Sequence, residues 1–416
     1  MKGVFDKKSF LPVNQALEIL LRQPYRRVNT ERVRIEEAYQ RVLAEDIFSP
    51  EDLPGFNRST MDGYAVYAED TYGASDTAPA YLNVVGEITM GEAPDIVLSR
   101  GEAAQIPTGG MLPKGANAVV MFEHTNRVDE TLLEVYRPVA MGENIIRADE
   151  DIKKGELVLK TGHLLRPQDI GALAGLGITE IEVYKRPIVA IISTGDEIVP
   201  ASSPIAPGKV RDINSFNLDG LLRQNGAMAK KMGIINDDLD LLKKVLKEAF
   251  TLADMVLITG GSSVGVRDYT SRLIDELGTP GILFHGVAIK PGKPIIAALA
   301  DGKPIFGLPG HPAAVTVSFE SFVKPVLKLI SGHKDPDHKR QPLIRAILTR
   351  NLSSSTGRED HVRVKLVEEN GTLKAVPVLG KSGLIKTLVE ADGLIIIPRD
   401  CNGLYEGQEV EVIPFQ

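Results

Sequence analysis

The hydrophobic positions between residues 187 and 330 predict strands and helices in alternation. Residues 188–192 and 255–258 are apolar without polar alternation, which is typical of strands buried on both faces of a parallel sheet. Residues 215–224 and 313–330 are predicted as helices. Strands that alternate with helices indicate a mainly parallel, doubly wound α/β sheet as the core of the chain.

A glycine-rich turn follows the second of these strands. Thr259, Gly260 and Gly261 interrupt the apolar run, and adjacent glycines let backbone N–H groups approach an anion closely. Asp268 comes next, and helical spacing after it predicts that Asp268 caps the following helix. This layout is typical of a phosphate site at the carboxyl edge of an α/β sheet, although a tight turn with an ordinary cap has the same pattern.

The N-terminal half predicts smaller elements. Apolar residues between positions 16 and 21 form a helical stripe, with Ser9 or Asn14 as candidate caps, and residues 36–44 predict a second helix. Residues 80–146 consist of short strand patterns separated by glycine and proline, which predicts a small β domain.

The C-terminal part follows a linker at residues 332–342 that is rich in charge, histidine and proline. Short alternating patterns follow, with turn dipeptides at residues 370–371 and 392–393. These patterns indicate a β-barrel or a β-sandwich.

The composition is that of a globular protein without a membrane span. The 416 residues are 43% apolar and 25% charged, and the net charge of −7 gives no overall attraction to nucleic acid or anionic lipid. A single cysteine, Cys401, excludes an intrachain disulfide framework. No apolar run reaches the roughly 20 residues that a bilayer requires, and no signal peptide is recognisable, so we expect a cytoplasmic location.

Carboxylates concentrate on loops that follow the predicted strands, and these loops share one edge of the sheet. Carboxylates about 4 Å apart repel by roughly 4 kcal/mol at an effective dielectric near 20, so their convergence requires a cation such as Mg²⁺. Lys290 and Lys293, on a loop stiffened by prolines, supply positive charge for an oxyanion. The acids are Asp196, Glu197, Asp237, Asp238 and Asp268. Asp237-Asp238 is also predicted to cap the helix that continues to Phe250.

Seven motifs occur in the order found in one known protein family: Ser59-Thr-Met-Asp-Gly-Tyr-Ala, Ile106-Pro-Thr-Gly-Gly, Gly142-Glu-Asn-Ile with residues 149–152, Ser193-Thr-Gly-Asp-Glu, Gly260-Gly-Ser-Ser-Val-Gly with Asp268-Tyr-Thr, Lys290-Pro-Gly-Lys-Pro and Gly307-Leu-Pro-Gly-His-Pro. From about residue 9 to the C-terminus the chain resembles the molybdopterin molybdenumtransferases of the MoeA and gephyrin E-domain type. The resemblance implies an elongated homodimer with four domains. Their expected bounds are 1–54 with 147–186 for a discontinuous N-terminal domain, 55–146 for the small β domain, 187–332 for an α/β molybdopterin-binding domain and 333–416 for a C-terminal β-barrel.

The resemblance also implies a transferase reaction in molybdenum cofactor biosynthesis. Adenylylated molybdopterin binds with Mg²⁺, molybdate occupies an adjacent anion site, the phosphoanhydride is hydrolysed, AMP leaves, and the dithiolene takes the metal. The adenylyltransferase and acceptor apo-molybdoenzymes are further expected partners. Three alternatives stay open: a tungstate-using homologue, a molybdopterin adenylyltransferase and a non-catalytic scaffold of the gephyrin kind. The β domains argue against the adenylyltransferase, and the retained acids and lysines argue against the scaffold.

Site residues follow from the resemblance by motif position. It implies catalytic roles for Asp62, Thr108, Asp151, Glu197, Asp237 and Asp268, of which the last three are the candidate Mg²⁺ ligands. It implies binding roles for Thr194, Gly195, Gly260, Gly261, Ser262, Ser263, Lys290, Lys293, Pro309, His311, Pro312 and Ser382. Ser382, together with Arg358 or Arg363, matches the oxoanion site more loosely. His311 stands where Asn is common, and Ser262 where Val is common, which leaves the choice between molybdate and tungstate open.

Overall fold

The computed structural model describes residues 10–236, 238–260, 264–334 and 342–415, and for residues 264–269 it describes the backbone alone. The chain up to residue 184 forms short strands and helices. In chain order these are α1 (Val13–Leu21), β1 (Thr30–Arg34), β2 (Ile47–Phe48), β3 (Arg58–Ser59), β4 (Gly63–Val66), β5 (Ala80–Glu87), β6 (Glu102–Ile106), β7 (Ala118–Met121), β8 (Thr125–Arg127), β9 (Leu132–Val135), β10 (Ile145–Ile146), β11 (Leu157–Leu159), α2 (Pro167–Gly175) and β12 (Glu180–Tyr184).

Strands far apart in sequence pair in this region. β1 pairs with β12 and β2 with β11, both antiparallel, so residues 30–48 and 157–184 share one core around Leu43, Leu173 and Ile181. The intervening chain folds into a separate sheet in the order β7-β4-β6-β5-β9-β8. The small β unit is thus inserted between two segments that pack on each other.

Two predictions for the N-terminal segments are wrong. Helix α1 is preceded by Pro12 as its N-cap residue, and Asn14 lies inside the helix, while Ser9 lies outside the described residues. The predicted helix at 36–44 is reduced to a 3-10 turn at Ile35–Glu37. The reason is tertiary pairing, because Val42 and Leu43 form β-bridges to Leu164 and Val183.

The central region contains the predicted α/β elements. In chain order they are β13 (Ile188–Thr194), β14 (Ile198–Val199), β15 (Val210–Arg211), α3 (Asn214–Gln224), β16 (Met228–Ile235), α4 (Leu239–Leu252), β17 (Met255–Gly260), α5 (Val264–Asp275), β18 (Pro280–His285), β19 (Ile289–Lys290), β20 (Ile296–Ala300), β21 (Lys303–Leu308), α6 (Pro312–Ser318) and α7 (Lys324–Ile330). A π-helical turn, Phe319–Val323, joins α6 to α7.

The central sheet confirms the predicted doubly wound fold. Its strand order is β16-β13-β17-β21-β20-β18, parallel from β16 to β21 and antiparallel for β20 and β18. On one face, Leu218 and Leu222 of α3 share a core with α6 and α7. On the other face, Leu242 and Leu246 of α4 pack with Ile274 of α5. Both faces are covered, which is why the strands carry uninterrupted apolar runs.

The C-terminal region closes into a β-barrel, which decides between the two predicted architectures. Strand β24 pairs with both β25 and β26, so the ring β24-β25-β22-β28-β26 closes on itself. The hairpin between β24 and β25 turns at Asn370 and Gly371, which have φ of 52° and 74°. The elements are β22 (Ile344–Leu348), β23 (Leu352–Ser353), β24 (Glu359–Glu369), β25 (Thr372–Pro377), α8 (Lys386–Val389), β26 (Gly393–Ile397), β27 (Gly403–Leu404) and β28 (Glu409–Pro414).

One short strand joins the barrel to the α/β region. β19 adds in parallel to β24, with Ile289 opposite Glu359 and Lys290 opposite Asp360. The Lys290-Pro-Gly-Lys loop is therefore held at the boundary between the two regions. None of the helices in the described part of the chain is long and apolar enough to cross a membrane.

Candidate active site at the carboxyl edge of the central sheet

A cavity of about 620 Å³ lies where β13, β17 and β21 end, bounded on one side by the barrel. This is the edge at which open α/β sheets bind their ligands. Its lining draws on the α/β region and the barrel together. Residues that line it include Glu197, Asn214, Gly260, Lys290, Lys293, Pro309, His311, Pro312, Arg358 and Ser382.

Gly260 lies in the floor of this cavity, where the neighbouring strand end leaves no space for a side chain. Gly260 has φ of 110°, and a Cβ built on it would lie 1.9 Å from the carbonyl oxygen of Thr194. At Gly195, a Cβ would lie 2.6 Å from a carboxylate oxygen of Glu197, which folds back over the turn. Gly260 lines the cavity with its backbone, whereas Thr194 and Gly195 are buried at the end of β13 and are absent from its described lining.

A buried carboxylate organises two cations on the barrel side. Lys290 Nζ lies 3.0 Å from Asp360 Oδ2, and Arg358 Nε lies 2.9 Å from Asp360 Oδ1. The Asp360 side chain is 3% exposed, whereas Lys290 and Arg358 are 55% and 38% exposed. The three charges sum to +1 and the cations face the cavity, so this cluster attracts an anion.

A second contact between the barrel and the α/β region involves His311 and Ser382. His311 Nδ1 lies 2.8 Å from Ser382 Oγ, and the Ala313 N–H donates to the Ser382 carbonyl at 3.1 Å. Behind this loop, Arg363 Nη2 donates to the Gly380 carbonyl at 3.0 Å. Burial lowers the pKa of Arg363. Arg358 therefore lines the cavity, and Arg363 supports the loop that carries Ser382.

Lys293 lines the same cavity from the other side of the Pro-Gly turn. Its ammonium lies 4.0 Å from the ring centroid of Phe10, a cation–π contact that restrains the side chain. Pro309 and Pro312 flank His311 at the start of α6. Of the expected binding residues in the described α/β region, six line the cavity and two, Thr194 and Gly195, do not. The six are Gly260, Lys290, Lys293, Pro309, His311 and Pro312.

Two expected site residues of the small β region contact each other. The Thr108 N–H donates to Asp62 Oδ1 at 2.7 Å, and both side chains are exposed. Asp151 is also exposed, and its N–H donates to the Leu53 carbonyl. Among the described residues, Asp62, Thr108 and Asp151 are absent from the cavity lining. One chain therefore presents Asp62 and Thr108 together at a place separate from the cavity.

The structure describes the side chains of only some of the acidic candidates. Glu197 lines the cavity. Asp237, Gly261, Ser262, Ser263 and the side chain of Asp268 lie outside the described residues. Within the part of the chain that is described, no group of three or more His, Cys, Asp or Glu side chains is arranged to hold a metal ion.

Two predicted helix caps in this region have different outcomes. Asp238 accepts hydrogen bonds from the N–H groups of Asp240 and Leu241 and caps α4 as predicted. The prediction that Asp268 caps a helix is wrong, because α5 begins at Val264 and Asp268 lies within it. Apolar spacing locates the body of a helix, whereas its first turn depends on the backbone path of the preceding loop.

Sequence reasoning missed two polar residues of the site. Asp360 stands two positions after Arg358 in a strand-forming run. A carboxylate in such a run is buried only when it is paired, so the sequence could have indicated a paired Asp360. Asn214 follows the loop after β15, where a polar residue is ordinarily interpreted as a helix cap. Its side chain instead donates to Thr259 Oγ1 and to the Gly310 carbonyl.

The fold and the cavity together define a class: a multidomain α/β protein with an anion site between a glycine-lined sheet edge and a cationic barrel wall. Family models match most of the chain. They are the MoeA N-terminal region (domain I and II) at residues 11–177, the probable molybdopterin binding domain at 190–329 and the MoeA C-terminal region (domain IV) at 345–415.

Full-length relatives agree with these matches. A protein of Methanocaldococcus jannaschii described as a molybdopterin biosynthesis protein is 40% identical over 97% of this chain and 98% of its own length. The molybdopterin molybdenumtransferase of Bacillus subtilis is 34% identical over 99% of this chain and 95% of its own. The crystal structure of the molybdopterin biosynthesis MoeA protein of Pyrococcus horikoshii superposes with a TM-score of 0.84 at 35% identity, covering 98% of this chain and 100% of that one. The chain belongs to the MoeA family of molybdenum cofactor biosynthesis enzymes.

Proposed function

We propose that this enzyme is a molybdopterin molybdenumtransferase that inserts molybdate into adenylylated molybdopterin and releases AMP. The observation that carries the proposal is the placement of Lys290 and Arg358, paired to Asp360, opposite the glycine-lined sheet edge in one cavity. A substrate with a phosphoanhydride and a separate oxoanion needs two anion sites at close range. The cavity supports both on its two walls.

The glycine wall suits the phosphate end of the substrate. At Gly260, which lines the cavity, a ligand meets backbone without a Cβ in the way, which is how glycine loops bind phosphates. The cationic wall suits molybdate, since Lys290, Arg358, Lys293 and the Ser382 hydroxyl provide charge and donors for its oxygens.

The reaction then needs positioning more than a strong nucleophile. Water attacks the phosphoanhydride and breaks it into AMP and the phosphate of the pterin. The two dithiolene thiols displace one oxygen ligand of molybdenum, which leaves as water with the two thiol protons. Lys290 and Lys293 hold the oxoanion beside the dithiolene, and the strand-end backbone holds the phosphate.

Mg²⁺ completes the proposal, with Glu197, Asp237 and Asp268 as its ligands. Glu197 contributes a carboxylate at the cavity, and carboxylate oxygens combined with substrate phosphate are the ligands that Mg²⁺ prefers. When bound, the ion would neutralise negative charge on the phosphoanhydride.

We further propose a homodimer in which each site combines two chains. Asp62 and Thr108 are exposed and bonded to each other, apart from the cavity of their own chain. In the proposed assembly the small β region of one protomer closes over the α/β cavity of its partner. The adenylyltransferase that makes the substrate and the apo-molybdoenzymes that accept the product are the further partners that this chemistry requires.

The deciding experiment measures AMP released from adenylylated molybdopterin after molybdate is added. We expect release that requires both molybdate and Mg²⁺, with sulfate as the oxoanion control. Tungstate in place of molybdate tests the tungstate-using alternative. Consumption of ATP with free molybdopterin would instead identify an adenylyltransferase. A purified protein that releases no AMP with either oxoanion would contradict the proposal and leave the scaffold alternative.

A further inference from the structure

Asn214, the first residue of α3, is a buried polar residue at the floor of the cavity. It is 6% exposed and belongs to the cavity lining. Its side-chain nitrogen donates to Thr259 Oγ1 at 2.9 Å and to the Gly310 carbonyl at 2.8 Å. A carbonyl can only accept, so the amide nitrogen must face Gly310.

These two bonds join the loops that carry the proposed anion sites. Thr259 directly precedes Gly260 at the end of β17, and Gly310 directly precedes His311 at the start of α6. The loops are in contact, because a Cβ built on Gly310 would lie 3.8 Å from the Cα of Gly260. Asn214 is thus placed to determine the distance between the glycine wall and the loop that binds Ser382.

The choice of asparagine at this position has a stability cost. Its Oδ1 is buried and has no hydrogen-bond partner among the described residues. A buried acceptor without a partner lowers stability, so stability alone does not explain an asparagine here. Asparagine supplies two N–H donors at this side-chain length. Serine has a single O–H donor, ionised aspartate has none, and glutamine is one methylene longer.

We propose that Asn214 is a positioning residue that holds the Gly260 loop and the Gly310–His311 loop at a fixed separation. This inference rests on the proposed function, because the separation matters when the adenylyl phosphate and the oxoanion must lie within reaction distance. Asn214 acts through the two loops and does not contact the reacting atoms. Misplacement by about 1 Å can lower a rate about a hundredfold, so the expected effect falls on kcat.

The chain offers a matched control on the same helix. Asn217 Nδ2 donates to Thr316 Oγ1 at 2.9 Å and so also ties α3 to α6, but Asn217 is not among the described residues that line the cavity. Asn217→Ala therefore removes a side-chain bond of the same helix α3 and leaves the bonds to Thr259 and Gly310 in place. Any effect of Asn214 substitution beyond that of Asn217→Ala reports on the loops.

The experiment compares Asn214→Asp, Asn214→Ala and Asn217→Ala by hydrogen exchange without substrate and by AMP release. We expect faster exchange in peptides spanning residues 306–312, which exclude the Asn217 acceptor Thr316, for the Asn214 variants only. We expect kcat to fall about tenfold to a hundredfold, KM for molybdate and for the pterin to change less than about threefold, and thermal midpoints to match that of Asn217→Ala.

Several outcomes would overturn the inference. Exchange and kcat equal to those of Asn217→Ala would make Asn214 merely structural. A rise in KM with kcat retained would make it a substrate contact. If the Asn214 variants do not fold, Thr259→Val removes one acceptor and leaves the Gly310 bond, and it must then lower kcat without raising KM. If the wild-type protein releases no AMP, the proposed function fails, and the exchange comparison still decides whether Asn214 holds the loops.

Discussion

At the scale of single residues, the proposed oxoanion site depends on charges that are only partly neutralised. Asp360 is buried and contacts both Lys290 and Arg358, so the two cations are held in place without losing their net positive charge. The cations remain one-third to one-half exposed and can exchange water for a ligand. Such an arrangement binds an oxoanion through charge-assisted hydrogen bonds and tolerates its release.

The first prediction concerns Lys290. We expect Lys290→Ala to raise the molybdate concentration for half-maximal AMP release by about tenfold to a hundredfold, since a hydrogen bond to a charged group contributes roughly 1.5–3 kcal/mol. Pterin affinity should change much less, and Lys293→Ala should act in the same direction. Lys243→Ala is the control, because Lys243 pairs with Glu276 on the other face of the sheet. If the variants lose pterin binding while the molybdate concentration for half-maximal release stays unchanged, the two lysines belong to the pterin site.

At the scale of elements, helix α2 shows how one carboxylate sets a helix start. Asp169 accepts from the Arg166 N–H at 2.8 Å, from Arg166 Nη2 at 2.9 Å and from His163 at 2.7 Å. Pro167 at the first helical position needs no partner for a missing N–H. Burial opposes ionisation of Asp169, yet the hydrogen bonds from Arg166 and His163 outweigh it and hold the pKa of this carboxyl well below its usual range.

The second prediction follows from that pKa. Because the folded-state pKa of Asp169 lies below its unfolded value of about 3.9, its stabilisation is present above about pH 4 and is lost as the pH falls further. We expect Asp169→Asn to lower the free energy of unfolding by roughly 1.5–3 kcal/mol at pH 7. The difference in this free energy between variant and wild type should become smaller toward pH 2. Thermal unfolding across this pH range measures it. Asp400→Asn, at a side chain that is 91% exposed, should show no such dependence. A constant deficit at every pH would contradict the role of the charge.

At the scale of the whole molecule, the small β region and the α/β region carry complementary parts of the proposed site. Asp62 and Thr108 contact each other on the inserted sheet, while Lys290 and His311 line the cavity at the central sheet. In a homodimer with two-fold symmetry, the small β region of each protomer would lie beside the α/β cavity of the other. The dimer would then contain two complete sites.

The third prediction tests that sharing. We expect Asp62→Ala and Asp268→Ala homodimers to be inactive and their heterodimer to recover about half of the wild-type rate, because one of its two sites carries both defects and the other neither. Differently tagged protomers purified as heterodimers provide the measurement. Heterodimers of two differently tagged wild-type protomers control for the effects of the tags and of subunit exchange on the rate. Heterodimers as inactive as their parents would mean that each site is built from one chain.

The amino-acid sequence by itself determined the α/β core and its glycine floor. Runs such as 255–258 have no polar position, so they can be accommodated only between two helical layers. Gly260 was identified because adjacent glycines let the backbone turn and approach an anion, and the structure gives Gly260 a φ of 110° and no space for a Cβ. These are local requirements, and a local pattern is enough to state them.

Only the tertiary structure decided which distant residues meet. Closure of the barrel, the pairing of β19 with β24 and the bonds from Asn214 to Thr259 and Gly310 each join segments separated by dozens of residues. The residues between 38 and 44 and the start of α5 departed from their local patterns, because strand pairing and loop path overrode helical spacing. Periodicity records which face of an element is buried, but the partner on that face depends on how the whole chain packs.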